Sequence, residues 1–213
     1  IYSQGVAYDI TPIRATGSIT GFETFSTTTV TVTDPSHNAE VGDFVTISST
    51  SGAVNGIPAA TMDAEYQILT VPTANTYTIT TATAATSTGT STATATATYQ
   101  ISVGTAVSQY GYGWGTYEWG KEAWGTARST SNVTIEGRNW SFDNFGEDLL
   151  ATVNNGNTFR WDTSTGTGTR AAVISAAPTV SRFNLVSMPD RHVFLFGTET
   201  TIGTTSTQDD MYI

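Results

Sequence analysis

The amino-acid sequence predicts an all-β fold built from antiparallel strands. Short runs of alternating apolar and polar residues recur along the chain, and turn signals such as Asp34-Pro35, Asn55-Gly56 and Pro189-Asp190 separate them. No amphipathic helical period persists for three turns. The polar residues are mostly Thr, Ser, Asn and Gly, and only 12% of all residues are charged. A chain rich in β-branched residues and poor in charge favours pleated sheets over helices.

The first half of the chain predicts a hairpin followed by a small β meander. Residues 1–16 alternate around Gly5 before they reach Pro12, which predicts a short hairpin. The regular pattern that follows predicts strands at residues 27–33, 41–50, 66–71 and 76–80. Residues 92–98 have the Thr/Ala composition of a flexible linker, but their strict alternation favours a further strand.

The second half of the chain predicts two similar cycles of antiparallel strands. A turn at residues 154–156 and a Gly/Thr loop at 163–168 belong to the first cycle, and strands at 183–187 and 192–197 belong to the second. Tandem four-stranded cycles of about 40 to 50 residues are typical of β-propeller blades, and two blades alone cannot close a ring. The chain also ends in the strand-like DDMYI, so we expect a piece of a longer polypeptide.

The stretch GYGWGTYEWGKEAWG, at residues 111–125, repeats a tryptophan followed by glycine every five residues. This step matches neither a helical turn nor the alternation of a strand, so the rings cannot share one face of either element. The rings either form a platform for a sugar or peptide, or anchor neighbouring blades or subunits, and the flexible glycines favour anchoring. The predicted interaction residues are Trp114, Tyr117, Trp119 and Trp124.

The composition argues against several classes of partner and cofactor. The net charge is −10, and Lys121 is the only lysine, so no basic stripe is present to bind nucleic acid by its phosphates. The chain has no cysteine for a disulfide or a thiolate metal site. No apolar run approaches the roughly 20 residues that a membrane span needs. Because no phosphate-binding or nucleophile motif occurs either, the sequence predicts no cofactor.

The ionisable side chains offer only weak candidates for catalysis or metal binding. Five carboxylates could supply the paired acids of a glycosidase, but no spacing fixes two of them across a cleft, and solvated loops or weak Ca²⁺ sites explain them as well. The same holds for Asp209-Asp210, while His37 and His192 lack a second metal ligand at suitable spacing and are predicted to be structural. The sequence therefore predicts no enzymatic activity. The five carboxylates are Glu118, Glu122, Asp143, Glu147 and Asp148.

Two parts of the chain resemble virion proteins of tailed bacteriophages. Val41-Gly42-Asp43, Asn55-Gly56, Tyr66-Gln67-Ile68 and Ala74-Asn75-Thr76-Tyr77 resemble the turns and strands of a small β module of these proteins. That module is called FCCH-like after a domain of the ubiquitin-activating enzyme, a label that implies no ubiquitin chemistry. The stretches YSQGVAYDITPIRAT and NWSFDNFGEDLLATVNNGNTFRWDTSTG, continuing to DDMYI, resemble the propeller-like part of the same phage proteins. Together the two resemblances cover most of the chain.

The resemblance implies a domain order and a function. Residues 1–16 would form a strand hairpin of the propeller-like region, 17–104 the inserted FCCH-like module, 105–130 a Gly/Trp-rich connector, and 131–213 propeller-like blades. The chain would then be a structural protein of the virion tail, of nozzle, hub or tip type, bound to other tail proteins and to copies of itself. The alternatives are a receptor- or carbohydrate-binding tail module that contacts a host surface glycan, and a tail-associated polysaccharide hydrolase.

Overall fold

The computed structural model describes residues 1–102 and 138–213, and this part of the chain is all-β, as the sequence predicts. The strands are antiparallel and form several open sheets. The chain starts with a two-stranded hairpin of β1 (Tyr2–Ser3) and β2 (Val6–Ala7), which turns at Gly5 with a φ of 84°. The helices of the described part are three or four residues long, so none of them could cross a bilayer.

Residues 13–100 form a sandwich of two antiparallel sheets. One sheet has the order β10-β4-β5-β9-β8 and the other the order β3-β11-β6-β7. A single helical turn, α1 (Ala59–Met62), lies between β6 and β7. The strands are β3 (Ile13–Ile19), β4 (Gly21–Phe25), β5 (Thr29–Thr33), β6 (Phe44–Ser48), β7 (Glu65–Gln67), β8 (Thr70–Thr73), β9 (Thr76–Thr80), β10 (Thr88–Ser91) and β11 (Ala95–Gln100).

Alternating side chains build the core of this sandwich. In β5 the valines Val30 and Val32 are fully buried, whereas the threonines that alternate with them are only half-buried. In β11 the small side chains of Ala95 and Ala97 point into the same core, which is consistent with the Thr/Ala alternation. The Asn55-Gly56 turn predicted from the sequence is present: both residues have positive φ, at 45° and 92°.

One predicted strand is interrupted because the chain changes sheets. Residues 66–71 divide into β7, which pairs with β6, and β8, which pairs with β9 in the opposite sheet. The strand predicted at residues 92–98 is present as β11, which begins three residues later; the preceding β10, which was not predicted, pairs with β4 in the opposite sheet. The alternation continues from β10 into β11, so the pattern does not mark that crossing, whereas at the first crossing it shifts, because the apolar residues Ile68 and Leu69 are adjacent.

A buried carboxylate links the two sheets. Asp34 is 2% exposed; its Oδ2 accepts a hydrogen bond of 2.6 Å from the Tyr99 hydroxyl, and its Oδ1 accepts one of 3.2 Å from the Ser18 amide. Burial raises the pKa of Tyr99 far above the usual tyrosine value, and the nearby Tyr77 raises it further, so the phenol remains protonated and donates. Gly17 provides the space: a Cβ there would lie 2.0 Å from Asp34 Oδ2.

The second half of the described chain contains a four-stranded meander and a two-stranded hairpin. The order β12-β13-β14-β15 follows the sequence, as in a propeller blade. Short 3₁₀ helices lie at Thr163–Thr165 and Thr205–Thr207. The strands are β12 (Trp140–Phe145), β13 (Asp148–Val153), β14 (Thr158–Trp161), β15 (Ala172–Val173), β16 (Phe183–Val186) and β17 (Val193–Phe196).

The hairpin β16–β17 packs against β12 and β13 of this four-stranded sheet. The Val186 amide donates a 2.7 Å hydrogen bond to Asp143 Oδ2, and the Ser141 hydroxyl donates one of 3.3 Å to the Asn184 carbonyl. Asn184 and Val186 are both buried in this contact. The side chains of β16 that alternate with them must therefore point away from the four-stranded sheet.

Glu199 holds the loop after β17 in place. The side chain is 1% exposed, and its carboxylate accepts hydrogen bonds from the Thr179 amide at 2.8 Å, the Thr179 hydroxyl at 2.8 Å and the Gly203 amide at 2.6 Å. Burial by itself would raise the pKa of this carboxyl, but the three donors outweigh it, and the pKa lies below the usual glutamate value.

We expect the stability of this region to fall in acid because of Glu199. A carboxyl with a lowered folded-state pKa stabilises the fold above its unfolded-state pKa, and this contribution is lost as the pH falls through the folded-state pKa. Glu199→Gln should therefore melt at a lower temperature than the wild type at pH 7, and the difference should shrink below about pH 4. Thermal unfolding of both proteins between pH 7 and about pH 4 measures this difference in melting temperature. Glu147→Gln, at an exposed carboxylate, is the control; an equal pH response in both variants would contradict the assignment.

Candidate interaction surfaces

One face of the four-stranded sheet is aromatic, and we call it the aromatic face. The strand register places Trp140 and Phe142 opposite Val153 and Ala151, and Trp161 opposite Leu149. Since paired residues lie on the same side of a sheet, their side chains share one surface. The aromatic face consists of Trp140, Phe142, Asn144, Leu149, Ala151, Val153, Phe159, Trp161 and Val173.

The segment after the N-terminal hairpin crosses the aromatic face and leaves a groove beside it. The Ala171 amide donates a 3.0 Å hydrogen bond to the Ile10 carbonyl, which fixes this segment along the sheet. Ile10 and Pro12 then face Trp140, Phe142 and Trp161 across a cavity of about 190 Å³. The groove is therefore lined mainly by apolar side chains.

The rings of the groove are held in fixed positions. Trp140 and Phe142 stack, with ring centroids 5.9 Å apart and an angle of 7° between their planes. Trp161 is 6% exposed, and its indole Nε1 donates a 2.9 Å hydrogen bond to the Thr169 carbonyl. Phe142, in contrast, is 60% exposed. A large apolar ring at the open end of a rigid groove is typical of a contact surface.

A charged cluster joins the sandwich to the four-stranded sheet near this groove. The Arg170 guanidinium lies 2.7 Å from Asp9 Oδ2 and 3.7 Å from Glu65 Oε2, and it donates a 3.0 Å hydrogen bond to the Thr11 carbonyl. Gln100 donates a 2.7 Å hydrogen bond to Glu65. Burial would raise the pKa of Asp9, but hydrogen bonds from Thr11 and the charge of Arg170 lower it overall. These contacts fix the polar edge of the groove.

The outer surface of the β16–β17 hairpin is a second apolar surface, which we call the hairpin face. Phe183 pairs with Phe196, and Leu185 pairs with Phe194. The rings of Phe183 and Phe196 stack with their centroids 4.6 Å apart. Phe183, Leu185 and Phe194 are 49%, 51% and 41% exposed. Four adjacent apolar side chains on an uncovered sheet surface are typical of an interface with another sheet.

The candidate acids of the second half act within the sheet or lie on the surface. Asp143 accepts the Val186 hydrogen bond described above, and Asp148 accepts hydrogen bonds from the Thr163 amide at 3.1 Å and from Arg160 at 2.7 Å. These donors lower the pKa of Asp148, the Thr163 amide most strongly and Arg160 next. By strand alternation both aspartates lie on the side opposite the aromatic face, so neither lines the groove.

The remaining candidates are spread over the structure. Asp210 forms an ion pair of 2.8 Å with Arg182, and Asp209 Oδ1 accepts a hydrogen bond from an amide two residues later. His37 is buried, and its Nδ1 accepts a hydrogen bond from the Ala39 amide, whereas His192 is exposed. Among the residues at 1–102 and 138–213, no group of three or more potential ligands is arranged to hold a metal ion.

The tryptophan repeat lies outside the described residues. The predicted interaction residues Trp114, Tyr117, Trp119 and Trp124 are therefore still a prediction, as are the carboxylates Glu118 and Glu122. Sequence reasoning did not single out the aromatic face or the hairpin face. The two-residue spacing of Trp140 and Phe142, and of Phe159 and Trp161, is the signal that could have indicated the aromatic face.

Comparison with known proteins identifies no relative: no family model, curated protein or solved structure matches the chain. The two apolar surfaces are therefore interpreted from their own geometry. Both are formed by regular strands, and both expose rings that packed sheets usually cover.

Proposed function

We propose that this chain is a structural component of a tailed-bacteriophage virion, a tail protein of nozzle, hub or tip type that acts through assembly contacts. The observation that carries the proposal is the exposed apolar hairpin face, together with the exposed ring of Phe142 at the open end of the groove beside the aromatic face. Surfaces of this kind are typical of proteins that complete their packing against neighbours. The resemblance of the sandwich and blade segments to phage virion proteins supports a tail as the place of assembly.

The surface chemistry of the sandwich is consistent with this role. Threonine side chains alternate with buried residues along β5 and β9, and the Thr70 and Thr78 hydroxyls lie 2.7 Å apart on the outer surface. A low-charge surface of β-branched residues can pack against other sheets without burying unpaired charge. We propose an architectural role without catalysis, because the candidate acids Asp143 and Asp148 are used as hydrogen-bond acceptors within the sheet.

The test is whether the chain is present in phage particles. We expect mass spectrometry of purified virions to detect peptides from both residues 1–102 and residues 138–213 at a constant ratio to the capsid protein. An antibody against the sandwich should label the tail in electron micrographs. Absence from particles, together with presence in the lysate of infected cells, would contradict a virion role.

A carbohydrate-binding tail module is the second candidate, and the groove beside the aromatic face is the observation that favours it. Sugar rings stack on aromatic side chains, and Trp140, Phe142 and Trp161 line an opening of about 190 Å³. Binding of host surface glycans on an array, lost in Trp140→Ala and retained in Phe25→Ala, would support this function. Phe25 is 49% exposed on the sandwich and serves as a matched aromatic control.

A further inference from the structure

Two short segments of chain connect the sandwich to the rest of the molecule. Residues 10–12 lead into β3, residues 101–102 follow β11, and the Ile101 amide joins the two segments through a 3.0 Å hydrogen bond to the Pro12 carbonyl. Apart from marginal contacts, the packing between described strands lies within the sandwich, within the N-terminal hairpin or within the sheets of residues 140–196. Parts of a chain that share little packed surface are expected to move relative to each other.

Both connecting segments are anchored on the four-stranded sheet at one end only. Ile10 and Ile101 pack against the buried apolar cluster of that sheet. Beyond these anchors the chain enters the sandwich at Pro12 and leaves it at Gln100, where the register of β11 against β3 shifts. Hinges are typically formed by a few residues at the ends of such elements. The position of a hinge is therefore defined at Pro12 and Gln100.

An arginine bridges the two parts across this junction. Arg170 precedes β15, and its guanidinium lies 2.7 Å from Asp9 Oδ2 in the N-terminal segment and 3.7 Å from Glu65 Oε2 on β7 of the sandwich. We call Asp9, Glu65 and Arg170 the latch. Gln100 supports it, because its Nε2 donates a 2.7 Å hydrogen bond to Glu65 and lies 3.5 Å from Asp9 Oδ2. The latch thus ties a carboxylate of the sandwich to the chain that enters the four-stranded sheet.

We propose that the sandwich is a hinged module, which turns about Pro12 and Gln100 and which the latch holds in one orientation. The latch is partly exposed: the side chains of Arg170, Asp9 and Glu65 are 27%, 46% and 45% accessible, so dissolved salt screens their attraction. Exposed ion pairs contribute little to the stability of a fold. The latch can therefore open while the sandwich and the four-stranded sheet both stay folded. This inference goes beyond the tail role and does not depend on it.

Acid should open the latch as well as salt. The charged groups that contact Arg170 in the described part of the chain are Asp9 and Glu65; its uncharged neighbours are Gln100, through Glu65, and the Thr11 carbonyl. Burial would raise the pKa of Asp9, but the hydrogen bonds from Thr11 and the charge of Arg170 lower it overall. The closed form is thus favoured near neutral pH, and this preference is lost as the pH falls through the lowered pKa, below about pH 4.

The distance between two spin labels measures the orientation of the sandwich in the full chain. The chain has no cysteine, so labels attach only at Ala82→Cys on the sandwich and Glu147→Cys in the β12–β13 turn, both exposed positions. At pH 7 and low salt we expect double electron–electron resonance to give one narrow distance distribution. Adding Arg170→Gln should broaden this distribution and shift its maximum. Salt at about 1 M should do the same to the chain with an intact latch.

Arg160→Gln is the matched control. It removes the same charge and breaks the ion pair with Asp148, but it lies within the four-stranded sheet, so the distance distribution should stay narrow. A distribution that stays narrow in Arg170→Gln would overturn the proposal. So would one that broadens equally in Arg160→Gln, or one that is already broad with an intact latch at pH 7 and low salt. Circular dichroism checks the fold of each variant; if Arg170→Gln does not fold, Glu65→Gln removes the sandwich side of the latch and must give the same broadening.

Discussion

Gly17→Ala is expected to lower the free energy of unfolding of the sandwich by about 3 kcal/mol. The new Cβ would lie 2.0 Å from Asp34 Oδ2 and 2.8 Å from its Cγ, far inside contact distance. The carboxylate cannot move aside without losing the hydrogen bonds from Tyr99 and Ser18, and a buried carboxylate without donors is costly. Urea unfolding, monitored through the hydrogen exchange of peptides from residues 13–100, measures the change in the free energy of unfolding of this part of the chain.

Gly52→Ala is the matched control for this prediction. An added Cβ at Gly52 meets no atom within 4 Å, and the glycine does not adopt a positive φ. The substitution should leave stability unchanged or raise it by up to about 1 kcal/mol, because alanine restricts the unfolded chain. Equal effects of the two substitutions would show that the contact with Asp34 does not determine the cost.

Trp161→Ala is expected to lower the free energy of unfolding of the four-stranded sheet by about 4 kcal/mol. The indole is 6% exposed and packs in a cluster with Val153 and Phe159. Its removal leaves a cavity beside the groove, and it also leaves the Thr169 carbonyl without the hydrogen bond from Nε1. Urea unfolding, monitored through the hydrogen exchange of peptides from residues 140–161, measures the decrease in the free energy of unfolding of this sheet.

Two further variants separate the causes of that loss. Trp161→Phe keeps an aromatic ring but removes the indole N–H, so it should cost about half as much as Trp161→Ala. Phe142→Ala, on the same face but 60% exposed, should cost less than about 1 kcal/mol. A large effect of Phe142→Ala on the monomer would show that this ring supports the fold and not only a contact surface.

The all-β class and most strands could be predicted from the sequence because their signals are local. The alternating TVTVT of β5 buries its valines, and β9 occupies Thr76–Thr80 as predicted. The Asn55-Gly56 turn is also local, since its positive φ angles depend on these two residues. Where the alternation of a strand and the residues of a turn lie within a few positions of each other, the local sequence is enough to predict both.

The features that sequence reasoning did not foresee depend on contacts between distant residues. The sheet change between β10 and β11 preserves the alternation and leaves no mark in the local pattern. The buried carboxylate of Asp34 also could not be predicted, because Asp34-Pro35 has the composition of an exposed turn. Its donors Tyr99 and Ser18 lie 65 and 16 residues away in the sequence.

The candidate surfaces were missed for a related reason. The sequence drew attention to the tryptophan repeat at residues 111–125, which is unusual in composition, whereas the aromatic face is assembled from ordinary strand residues of β12 to β14. An apolar residue on a strand predicts burial in the monomer. Only the structure shows that Phe142, Phe183 and Phe194 are left exposed after folding.

The position of β11 in the sandwich has a consequence for synthesis on the ribosome. Within the described sheets β3 pairs with β11 alone, and β11 is the last strand of the sandwich to be made. At roughly 5 to 20 residues per second, a nascent chain waits several seconds between the completion of β3 and the appearance of its partner. During this interval both β3 and β6 present open edges that can pair wrongly. A chain terminated before Ala95 could never close these edges, so premature termination should yield aggregates in place of a partly folded domain.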